Sequence, residues 1–121
     1  MKRILIADDE EHILGVMIDV LEGAGYEVVG VSDGEQALEK LQNQSFDVAL
    51  LDVMMPKLNG YQLATKINGL ENQPKVIIVT SRNYDKDEKT LRTVGASAFL
   101  PKPFSNKDLL DVVKNLAEKK K

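Results

Sequence analysis

Residues 4–9 read Ile4-Leu5-Ile6-Ala7-Asp8-Asp9, an unbroken apolar run that stops abruptly at two carboxylates. A strand with one wet face alternates apolar and polar residues, so a short continuous run rich in β-branched residues describes a strand covered on both faces. Val76-Ile77-Ile78-Val79 repeats the pattern and stops at Thr80 and Ser81; Val48-Ala49-Leu50-Leu51, a weaker third, stops at Asp52. Tyr26 to Val31 carries Glu27 and is bounded by glycines, and Ala98-Phe99-Leu100 runs into a proline. Both suit the edges of a sheet, where a charge or a missing N–H is tolerated.

The stretches between these strands have helical periodicity. Ile13, Leu14, Met17, Val20, Leu21 and Ala24 form one buried stripe, Ala37, Leu38 and Leu41 a second, Leu63, Ala64, Ile67 and Leu70 a third. A final helix buries Leu109, Val112, Val113, Leu116 and Ala117. The helix expected near Asp85 to Val94 has the weakest stripe, Leu91 and Val94 after a polar approach, and is the element expected to move most readily. Strand and helix alternate five times, which predicts a parallel sheet with right-handed crossovers and helices on both faces. The expectation is one doubly wound α/β domain over residues 1–121.

Composition narrows the function. A chain of 121 residues has the size of one ordinary domain. Its 43% apolar and 29% charged residues suit a soluble globular protein. A net charge of −3, a pI near 5.2 and the lack of a dense basic patch argue against direct binding of nucleic acid. With no cysteine, thiol chemistry and thiolate metal sites are excluded, and any metal must take oxygen ligands. The apolar run after Met1-Lys2-Arg3 is too short for a signal peptide or a spanning helix, so no membrane insertion and a cytoplasmic location are expected.

In open parallel sheets, ligands bind beyond the carboxyl ends of the strands. The polar residues at those ends are Asp8, Asp9, Asp52, Thr80, Ser81 and Lys102. Each has an ordinary reading. Asp8 with Glu11 resembles a capping box, Asp9 in a first turn complements the helix dipole, Thr80 or Ser81 could cap, Asp52 could begin an Asx turn, and Lys102 could be a surface lysine between Pro101 and Pro103. Those readings explain one residue at a time. They leave unexplained why three carboxylates, a hydroxyl and an ammonium share one edge, an unfavourable concentration of charge unless a cation and an anion join it. Oxygen ligands beside an incoming phosphoryl group suit Mg2+, with Mn2+ as a substitute. Lys102 can pair with Asp52 at rest and with a phosphoryl oxygen later. His12, among acidic neighbours one turn into the first helix, reads as an ordinary exposed histidine.

Taken in order, Asp8-Asp9, the run Asp52-Val53-Met54-Met55-Pro56-Lys57-Leu58-Asn59-Gly60, Thr80, and Leu100-Pro101-Lys102-Pro103-Phe104 closely resemble bacterial two-component response-regulator receiver domains, typified by single-domain chemotaxis regulators. The resemblance covers essentially the whole chain. It implies a flavodoxin-like (βα)5 fold with strand order 2-1-3-4-5. It also implies that Asp52 is the phosphoacceptor, Asp9 a direct metal ligand, Asp8 a ligand mainly through water, and Met54 a ligand through its backbone carbonyl. Thr80 would bind the phosphoryl group, Lys102 would bridge it, and Phe99 would be the aromatic switch, without the hydroxyl of the tyrosine common there. Ser81 and Arg82 would neighbour the phosphoryl group, and the Lys102-Pro103 bond would be cis.

The implied function is a signalling module: Asp52 takes a phosphoryl group from a histidine kinase or phosphotransfer protein, and the shape change is read by an output protein or domain. The surface expected to report it comprises the helix near Asp85 to Val94, the strand around Phe99 and the final helix. The expected form is a stand-alone regulator; the alternative is the receiver of a longer protein with a DNA-binding or enzymatic output domain. A flavodoxin-like flavin binder would share the fold, but two aspartates after strand one would repel its phosphate. A haloacid-dehalogenase-type phosphatase usually needs an aspartate where Met54 stands.

Overall fold

The computed structural model describes residues 2–55, 57–80 and 95–118. The elements are β1 (Arg3–Ala7), α1 (Glu11–Gly23), β2 (Glu27–Val31), α2 (Gly34–Asn43), β3 (Val48–Asp52), α3 (Gly60–Ile67), β4 (Lys75–Thr80), β5 (Ala98–Pro101) and a last helix, here α4 (Asn106–Ala117). All four strand pairings are parallel and the order is β2-β1-β3-β4-β5, so the two strands read as edges are edges. Order 2-1-3-4-5 reverses between β1 and β3. The crevice at such a reversal is where a doubly wound sheet binds its ligand.

The unbroken apolar runs have a simple cause, since successive strand side chains point to opposite faces and both faces here are covered. Leu5, Ala7, Ala49, Leu51 and Ile78 pack against Ala37 and Leu41 of α2 and Leu63, Ala64 and Ile67 of α3. Ile4, Ile6, Val48, Leu50, Ile77 and Val79 pack on the other side against Met17 and Leu21 of α1 and Leu109 and Val113 of α4. Each fully buried Leu or Ile contributes about 1.5–3 kcal/mol relative to exposure. Two cores therefore grip one sheet and hold its strand ends in place.

Local signals set the helix starts. Asp33 caps α2 by accepting from Gln36 N at 2.8 Å, Asn59 and Gln62 form a reciprocal capping box on α3, and Ser105 with Asp108 does the same for α4. The α3 stripe extends beyond its helix: α3 stops at Ile67, and Leu70 lies in the following turn while still packing on the core. The helix expected near Asp85 to Val94, with Ser81 and Arg82, lies outside the described residues.

Candidate functional site

Parallel strands of matched register bring their last residues to one edge. Asp52 ends β3 and Thr80 ends β4; Asp8 follows β1 directly, and Lys102 follows β5. The loops behind them are tied to the sheet. Val53 N donates to Val79 O at 3.0 Å and Lys102 N to Thr80 O at 2.6 Å. Gly60 begins α3 against the Asp52 backbone so closely that a Cβ there would lie 2.7 Å from Asp52 O. The Lys102-Pro103 peptide is cis, as the resemblance implies.

Lys102 Nζ lies 3.0 Å from Glu10 Oε1, 3.2 Å from Asp8 Oδ2 and 3.6 Å from Asp52 Oδ1. Asp8 and Asp52 are buried, with side chains 1% and 6% exposed, whereas Glu10 is 58% exposed. The expected partnership of Lys102 with Asp52 is thus present, but it is the longest of three. Glu10 was not among the residues singled out from sequence. It follows the acidic pair, where a third acid reads as part of an ordinary acidic helix start, and only the return of β5 places Lys102 against it.

The capping-box reading of Asp8 is corrected. The N-cap of α1 is Glu10, with no side-chain cap hydrogen bond, and Asp8 Oδ1 instead accepts from Glu10 N at 2.9 Å. That bond turns Asp8 into the site, where its buried Oδ2 lacks a hydrogen-bond partner among the described residues and is left to the ion pair with Lys102.

Burial raises the Asp52 carboxyl pKa, Asp8 repels the charged form, and Asp9 adds to that repulsion. The Lys102 charge and the Met54 N–H work the other way, and the outcome is a carboxyl pushed up to about 6. Burial also opposes the Lys102 charge, but its hydrogen bond to Glu10 and the charges of Asp52 and Asp8 outweigh that and hold its pKa above the ordinary range. Among the described residues, one ammonium faces an acidic excess.

That excess fits a divalent cation. Carboxylate oxygens of Asp8, Glu10 and Asp52 all lie within 4.8 Å of one another. Asp9 is exposed and stands outside this triple, although its charge is felt at Asp52. Met54 is 74% exposed, with its side chain in solvent. Phe99 is part-buried in β5, packed against the core on the α2–α3 side. His12 is exposed on α1.

Residues 4–114 match the response regulator receiver domain family. The chain is 38% identical over 110 residues to the transcriptional regulatory protein CpxR of Escherichia coli, covering 91% of this chain and 47% of that protein. It is 34% identical to the alkaline phosphatase synthesis transcriptional regulatory protein PhoP of Bacillus subtilis, covering 89% of this chain and 45% of that one. Among solved structures, chemotaxis response regulator CheY4 of Vibrio cholerae superposes with a TM-score of 0.90 at 30% identity, covering 96% of this chain and 98% of that one. Response regulator TrrA of Thermotoga maritima, solved with Mg2+ and BeF, gives 0.86 at 31% identity, covering 96% and 99%.

A fold with strand order 2-1-3-4-5 and an acidic crevice at its reversal point define a two-component receiver domain, and the chain belongs to the response regulator receiver family. It spans about half the length of the curated relatives it matches.

Proposed function

We propose that Asp52 is the phosphoacceptor of this receiver and that its donor is a phosphohistidine on a histidine kinase or phosphotransfer protein. An Asp52 carboxylate oxygen attacks phosphorus, the P–N bond to the imidazole breaks, and the imidazole leaves with the electron pair, producing an acyl phosphate on Asp52. Lys102, within 3.6 Å of Asp52 Oδ1, offsets the charge of the transferred group. Thr80, ending the adjacent strand, is the proposed hydroxyl partner of that group. Ser81 and Arg82 follow it in sequence as its proposed neighbours.

Asp8, Asp9, Asp52 and the Met54 carbonyl would hold Mg2+, or Mn2+ in its place. The bound cation would supply positive charge against the attacking carboxylate and the phosphoryl oxygens. The acidic excess around a carboxyl already raised to about 6 is the observation that carries this reading. The product is a conformation and not a released metabolite, so the domain acts as a signalling module in the cytoplasm. Phe99 is the proposed switch residue, and β5 with α4 is the proposed surface presented to an output partner; the helix expected near Asp85 to Val94 lies outside the described residues. No helix among the described residues is long and apolar enough to cross a membrane.

A stand-alone regulator is the first reading of the whole. The second, a receiver joined to an output domain, is favoured by the half-length match to transcriptional regulators.

Intact mass after incubation with Mg2+ and acetyl phosphate tests the chemistry. One phosphate adduct is expected, lost in Asp52→Asn and without Mg2+. Folded wild-type protein that gains no adduct would contradict the assignment.

A further inference from the structure

Among the three carboxylates around Lys102, Glu10 differs from the others in one respect that matters for an incoming anion. Asp8 and Asp52 are held in the interior, so moving either away from the ammonium leaves a buried charge unpaired. Glu10 has its side chain 58% in solvent and makes the shortest contact, 3.0 Å. It can leave without that penalty. Its carboxylate makes no side-chain cap at the start of α1. It also lines a cavity of about 620 Å³ beside the site, together with His12, Lys102, Pro103 and Phe104.

We propose that Glu10 is a latch on Lys102: it holds the ammonium on the solvent side of the site, away from Asp52, and must release it before Lys102 can serve a phosphoryl group. Glu10 is thus a positioning residue acting through Lys102. The inference rests on Asp52 being phosphorylated, and it predicts how a residue outside the family's matching motif sets the rate. In the resting arrangement two acids, Glu10 and Asp8, are nearer to Nζ than Asp52 is. A phosphoryl donor brings more negative charge to a site where Glu10 already opposes it. Unlike charge from the buried Asp8, the charge from Glu10 is exposed to solvent and is screened by salt.

The test compares wild type with Glu10→Gln, which removes the charge, and Glu10→Ala, which removes the contact. Phosphorylation by acetyl phosphate is followed by intact mass at saturating Mg2+, so that any change in metal affinity is bypassed. Attack by Asp52 breaks the bond from phosphorus to the acetyl oxygen, and acetate leaves with the electron pair. Both variants are expected to be phosphorylated at least ~3-fold faster than wild type at low ionic strength, with the advantage shrinking towards none in 1 M salt. A crystal structure of metal-free Glu10→Ala supplies a readout independent of turnover: Lys102 Nζ should approach Asp52 more closely than the 3.6 Å of the native protein. Variants that react at the wild-type rate or slower, or whose advantage ignores salt, overturn the latch while leaving the phosphoacceptor assignment intact. No adduct on folded wild type would overturn both.

Discussion

Asp52 carries more of its environment than any other residue of the site. Its pKa of about 6 means that folding raises its affinity for a proton relative to the unfolded chain, where a carboxyl titrates near ~4. The folded state therefore binds more protons through this interval, and stability falls as pH rises through it. At one pKa unit per ~1.4 kcal/mol, the metal-free protein is expected to lose about 1–3 kcal/mol between pH 4 and pH 7.5 from this group. Asp52→Asn removes the effect. In EDTA, urea unfolding should find the variant more stable than wild type by that amount at pH 7.5 and nearly equal below pH 4; a difference that stays constant with pH would contradict the argument. Much of this residue was legible in the sequence, since a lone carboxylate ending an apolar run announces itself. Glu10 was not, because its importance comes from a lysine 92 positions away.

Strand ends and helix starts meet at this site, and Gly60 shows how tightly. It is the first residue of α3, where any good helix former would serve on local grounds, yet an added Cβ would meet Asp52 O at 2.7 Å, Asp52 C at 3.0 Å and Leu51 O at 3.2 Å. All three are backbone atoms of β3 and cannot rotate away. Gly60→Ala should therefore destabilise the domain by about 1–3 kcal/mol despite the higher helix propensity of alanine, seen as a lower urea midpoint with an unchanged slope. An unchanged midpoint would mean that α3 can shift off β3 freely. The capping boxes show the opposite balance. In Asn59-x-x-Gln62 and Ser105-x-x-Asp108 both partners lie within one turn, and local geometry suffices to pair them. Asp8 and Glu11 have similar spacing, but the tertiary demand of Lys102 and the Glu10 N–H engages Asp8 instead.

Across the whole molecule, the acidic excess is a reservoir of repulsion that a divalent cation would relieve, so metal should stabilise the fold. Ligand at a hundred times its dissociation constant adds about 2.7 kcal/mol to a state that alone binds it. Mg2+ at that level should raise the melting temperature by several degrees over the same protein in EDTA, in proportion to the logarithm of its concentration once the site is saturated. A melting temperature insensitive to Mg2+ would remove the metal from the account. The fold and the polar residues at this edge could be inferred from the chain for different reasons. Strands covered on both faces must be apolar throughout, and that pattern needs no partner to be recognised; the polar residue ending each run marks the carboxyl edge. By itself the sequence thus determined a doubly wound α/β domain with Asp8, Asp52, Thr80 and Lys102 at strand ends. Only the tertiary structure decided which charges touch: it brought Glu10 to Lys102, left Asp9 in solvent and set Gly60 against Asp52. Those outcomes depend on distances between segments far apart in sequence, which the packing of two helical layers against one sheet sets and local periodicity does not encode.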